Sequence, residues 1–162
     1  MAETHLGVSE IVKRGLLAGI AGGLAEVVWV SLYAAVSGGD AAILARGVTT
    51  ASGVLALLPA APVTDGIAVH MTLAALLGVV LTALWQARPG RGVGALYGFM
   101  LAALAAVWAV NFFVVLPVLE PSFVHLLPYS VSLVSKLLFG VAAAETLRRY
   151  AAAGQSLAPA HR

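Results

Sequence analysis

Apolar residues in this chain do not alternate with polar ones. They run on in four long stretches, about Gly15 to Ser37, Gly66 to Gln86, Val93 to Leu119 and Leu126 to Leu147. A helix needs about 20 predominantly apolar residues to cross the hydrocarbon core of a bilayer. Each stretch meets that length, and Ala and Leu dominate without the two-residue period of a membrane strand. The pattern predicts an all-α, polytopic transmembrane four-helix bundle forming one domain. Its parts are 1–14, span 15–37, link 38–65, span 66–86, link 87–92, span 93–119, link 120–125, span 126–147 and tail 148–162.

The long first link holds a fifth element. Leu44, Val48, Ala51, Leu55 and Leu58 recur at spacings of four and three, while Arg46, Thr49, Thr50 and Ser52 fall off that face. This is a short helix over about 41–58, stopped by Pro59 and Pro62. Such a helix either lies in the outer interface or re-enters the bundle. It is read as an apolar connector, with a lid over the bundle mouth as the alternative.

Composition narrows the class. The chain of 162 residues is 61% hydrophobic and 10% charged, with no Cys. Average domains carry about 25% charged residues, so a water-soluble domain, a disordered chain and a disulfide scaffold are all excluded. The lipid bilayer is the first partner. Net charge is only +2, and no basic patch is interleaved with aromatics, so nucleic acid is not a partner.

The few cations set the orientation. Lys13 and Arg14 precede the first span, Arg88 and Arg91 sit between the second and third, and Arg148 and Arg149 follow the fourth. The other links hold Asp40, Arg46, Asp65 and Glu120. By the positive-inside rule both termini are expected in the cytoplasm. Lys13-Arg14 before an apolar run also loosely resembles a secretory signal cleaved near residue 37, but the run is long for a signal core and holds Glu26 in its middle, so a membrane span is the preferred reading.

Glycine spacing suggests an internal duplication. Gly15, Gly19 and Trp29 share their spacing with Gly94, Gly98 and Trp108, and Gly78 and Gly140 sit in similar surroundings. Two parallel hairpin repeats, the first carrying the extra helix, would explain this. The stripes Gly15, Gly19, Gly23 and Gly94, Gly98 are expected to pack helices together, since small residues let backbones approach in lipid.

Polar residues within the spans are the candidate sites. Glu26 lies roughly 16 Å into its helix at 1.5 Å per residue, and Lys136 falls at matching depth in a core about 30 Å thick. The two are expected to pair, either fixing helix register or relaying protons. Asp65, His70, Asn111, Glu120 and His125 are expected to gather near the outer face. Two His and two carboxylates there raise a divalent metal, or a haem between His70 and His125, as a minor alternative to no cofactor. Ser130, Ser132 and Ser135 stand near Lys136, but no oxyanion hole accompanies this dyad. No nucleophile elbow, zinc helix or P-loop occurs, so no catalytic residue and no enzyme activity are expected. Trp29, Trp108, Phe112 and Phe113 are read as packing and interfacial anchors.

The Gly-rich first helix, His70, Gly94-Ala-Leu-Tyr-Gly98, Phe113-Val-Val-Leu-Pro117 and Gly140 together resemble the uncharacterised YagU-like family of small bacterial inner-membrane proteins. The resemblance covers most of residues 15–147 and implies a four-helix inner-membrane protein. Glu26 and the long outer link depart from that pattern. The leading expectation is an accessory or assembly subunit packing beside other membrane subunits or itself. A transporter-like protein or proton pathway using Glu26 and Lys136 is the alternative, and a haem- or metal-binding redox subunit the third.

Overall fold

The structure, a computed structural model, describes residues 7–52, 61–88 and 92–156. Five helices organise these residues: α1 (Val8–Ser37), α2 (Ala41–Ala51), α3 (Pro62–Gln86), α4 (Val93–Leu119) and α5 (Tyr129–Ser156). All but α2 are long and apolar enough to cross a membrane, which makes this a multi-pass membrane protein. No strand occurs among the described residues.

The helices overrun the apolar windows at several ends. α1 begins at Val8, well before the expected Gly15, and Arg14 bonds back to Glu10 at 2.9 Å. α5 runs on to Ser156, with Arg148 and Arg149 both bonded to Glu145. Charged pairs one turn apart carry a helix past the oily segment that sequence hydropathy sees. α3 starts at Pro62, where a proline's fixed φ and absent N–H suit a first turn. α1 ends at Gly38, whose φ of 71° is easy only for glycine. Asp40 then caps α2, its carboxylate accepting from the Ala42 N–H at 2.8 Å.

α1 is the centre of the bundle, packed against α3 on one side and α5 on the other, with α4 beyond α5. Glycine decides the α1–α3 seam. A Cβ on Gly15 would lie 2.5 Å from Val79 Cα, and one on Gly19 or Gly78 would collide with the opposing backbone. On the α5 side, Gly22 makes room for the Phe139 ring, which is fully buried. Trp29 donates to the Val131 carbonyl at 3.0 Å, and Trp108 of α4 donates to Ser132 Oγ at 3.0 Å. Both indoles thus tether neighbouring helices to the start of α5. Trp108 also stacks with Phe112 and meets Phe113 and Tyr129 edge-on.

Gly94 and Gly98 behave differently from the expectation. A Cβ at either would meet nothing within 4 Å. The α4–α5 contact instead forms on another face, where Met100, Leu101 and Leu104 close around Gly140. Leucine ridges fill that seam, so the glycine stripe of α4 is left outside it. The two hairpins therefore pack by different means, despite their matched spacing.

α4 contains one π turn, Asn111–Val115, closed by the Leu116 N–H on the Asn111 carbonyl. Pro117 follows. Its ring would clash with the carbonyl four residues back, and one extra residue in the turn relieves this.

α2 folds onto the start of α3. Gly66 admits the Ala45 carbonyl, and the Thr49 hydroxyl donates to the Pro62 carbonyl. Thr49, read as off the buried face, is fully buried. The sequence spacing marks the Leu44 face as apolar, but α2 is gripped on two sides and Thr49 lies on the second. The expected continuation of this helix to residue 58 falls largely outside the described residues.

Candidate functional site

Glu26 and Lys136 meet. Lys136 Nζ lies 2.7 Å from Glu26 Oε1 and donates to Oε2 at 3.0 Å. Their helices, α1 and α5, are held together at this level by Gly22 against Phe139 and by Trp29 on Val131. Ser135, one residue before Lys136, donates to Glu26 Oε1 at 3.3 Å. The carboxylate is buried, whereas the Lys136 side chain keeps 18% of its surface open.

His70 joins this pair from α3. Its Nε2 is 3.6 Å from Glu26 Oε2, too long for a hydrogen bond, and has no hydrogen-bond partner among the described residues. The backbone of Gly23 also lies beside the imidazole. His70 was expected beside Asp65, Asn111, Glu120 and His125. The tight glycine seam draws α3 against α1 and turns His70 inward to Glu26 instead.

Asn111 lines the same cavity as His70, but Asp65, Glu120 and His125 are dispersed. No hydrogen bond or ion pair among the described residues joins any two of the five. Asp65 sits in the first turn of α3 with Oδ2 buried and unbonded. Glu120 accepts from Ser122 in the link after α4. His125 is exposed in a 3₁₀ turn and lines a separate recess with Tyr33 and Asp40. His70 and His125 therefore do not face one site, and no group of three His or acidic residues with metal-holding geometry occurs among the described residues.

Glu26, His70 and Lys136 are not sealed in a packed core. They lie at one side of a cavity of about 710 Å³. α1 and α5 form its back, α3 and the π-turn region of α4 its sides, and α2 with Phe123 its roof. Asn111, Ser132 and Ser135 add polar groups, and the remaining lining is apolar, with Leu73, Leu77, Phe112 and Phe139 among it. A pocket of this size, mostly apolar with a few converging polar groups, has the usual make-up of a small-molecule site.

Compared with protein-family models, curated proteins and solved structures, the chain matches none.

Several site features have little or no trace in the sequence. The role of Ser135 follows only from its position beside Lys136 on the turn that faces α1. Tyr97 donates to Glu145 at 2.6 Å, linking α4 to α5 far from the cavity.

Proposed function

We propose that this protein is a small transporter-like membrane protein in which Glu26, His70 and Lys136 form a proton-handling site within the bilayer. One observation carries the reading: the buried ion pair opens onto a cavity. A pair that served only to set helix register would be best protected by close packing around it. Here Glu26 is matched by Lys136, and His70 Nε2 stands beside the same carboxylate with no partner. His70 is therefore placed to take and release one proton without breaking the pair. Ionisable groups inside a membrane usually mark ion pathways. On this reading the chain is not an enzyme. It resides in a bacterial inner membrane, as the YagU-like resemblance implies, with the Arg88 and Arg148 end toward the cytoplasm.

Proteoliposomes loaded with a pH-sensitive dye test this. The purified protein should dissipate an imposed pH gradient faster than protein-free liposomes. His70→Gln, which keeps the ion pair, should return the rate to that of empty vesicles. Flux equal to empty vesicles in the wild type, or unchanged in His70→Gln, overturns the reading.

The accessory-subunit reading is second, favoured by Gly94 and Gly98, which lie open on the outside of α4. Mild-detergent purification tests it: a stoichiometric partner or second copy lost in Gly98→Leu supports that role.

A further inference from the structure

The cavity has a side entrance. Ile67, Leu73 and Leu119 line it, yet they remain 43%, 58% and 60% exposed on the outside of the bundle. They mark the place where α3 and α4 part. These two helices meet only sparsely, and Trp85 against Phe99 ties them at the end remote from α2. An opening rimmed by exposed Ile and Leu on the flank of a membrane helix faces lipid tails, not water.

The polar side of the cavity is chemically one-sided. The oxygens of Glu26 are buried and already accept from Lys136 and Ser135. Lys136 gives two of its three N–H bonds to Glu26 and keeps one. Ser132 is engaged with Trp108 and the Tyr129 carbonyl. What remains for a visitor is the third Lys136 proton, the Asn111 amide, whose NH2 donates and whose oxygen accepts, and His70 once protonated, so donors outnumber acceptors. Such a set suits a head group that only accepts hydrogen bonds, and an ionised carboxylate is one. Its charge would be unmatched, because Glu26 already neutralises Lys136. A proton on His70 supplies the missing positive charge, so that the site with its guest is again neutral.

We propose that the cavity binds a single-chain amphiphile with a carboxylate head, entering from the bilayer between α3 and α4 and taking up one proton at His70 as it binds. The head lies against Lys136 and His70, and the chain fills the apolar space under α2 and leaves through the Leu73 opening. This deepens the proton-handling reading by naming what travels with the proton. The groups facing His70 are Glu26 and the Gly23 backbone from α1 and Lys136 from α5.

A dansyl-labelled undecanoic acid, whose fluorescence rises in apolar surroundings, gives the test in detergent-solubilised full-length protein. The probe should bind, and a long-chain fatty acid should displace it at least tenfold better than its methyl ester. Affinity should rise with falling pH by up to about tenfold per unit, the limit for one coupled proton. In His70→Gln that dependence should vanish and affinity drop by about tenfold or more. Val107→Trp, which narrows the cavity from α4, should abolish binding with helicity and elution volume unchanged. Equal displacement by acid and ester, a pH dependence surviving in His70→Gln, or probe binding untouched by Val107→Trp would each overturn the proposal. Binding that passes these tests without proton flux in liposomes would leave the site standing and remove the transport reading alone.

Discussion

Breaking the Glu26–Lys136 pair gives the sharpest check on the architecture. At 2.7 Å two unit charges attract by about 6 kcal/mol at an effective dielectric of 20. Much of that is offset by the cost of taking both ions out of water, so the pair's net contribution is small. The cost of removing one member is not small, because the other stays charged and unmatched. Such losses run to about 3–5 kcal/mol. Glu26→Gln leaves Lys136 as the orphan. Its partial exposure to the cavity puts the expected loss near the lower end, about 3 kcal/mol. Lys136→Met leaves Glu26, but His70 at 3.6 Å is placed to take a proton and stand in. That loss should be milder, about 2 kcal/mol. The double variant has no charge to bury, and should lose only about 1 kcal/mol, the worth of a hydrogen bond or two. The assay is equilibrium unfolding of all four proteins in mixed micelles, followed by helical circular dichroism and closed as a double-mutant cycle. A coupling of several kcal/mol is expected. Additivity within about 0.5 kcal/mol would refute the claim that these two groups compensate each other.

Four further outcomes follow from the packing. Gly19→Leu should destroy the α1–α3 seam, since its Cβ alone would collide with the Ala74–Ala75 backbone, and should cost more than the roughly 1–3 kcal/mol of ordinary overpacking. Gly98→Leu, with nothing within 4 Å, should leave thermal stability of the monomer unchanged in the same melt. Thr49→Val should cost about 1 kcal/mol through loss of the one hydroxyl proton shared between the Pro62 and Ala45 carbonyls, read as a lowered melting midpoint in detergent. Tyr97→Phe should barely move the denaturation midpoint, because Glu145 keeps Arg148 and Arg149 as partners on an accessible surface.

Four spans and their approximate limits are legible without any coordinates, because a bilayer demands a fixed length of apolar helix and leaves few other solutions. The pairing of Glu26 with Lys136 is nearly so. Depth along a helix follows from counting residues, and a charge in hydrocarbon must find its opposite. Azimuth does not follow from counting. Helices that are apolar all round carry no stripe to say which face turns inward, so identical glycine spacing put Gly15 and Gly19 in the close α1–α3 seam and Gly94 and Gly98 on an open face. The same gap misplaced His70, which belongs with Glu26 because α3 is pulled against α1, and not with Asp65 or His125. The cavity was equally hidden. It exists because α3 and α4 diverge above Trp85 and Phe99 while α2 covers the space between them, and no stretch of residues read singly encodes a separation between two others. Hydropathy settles what must be buried in lipid; only the way five helices lean on one another decides which polar groups share a chamber.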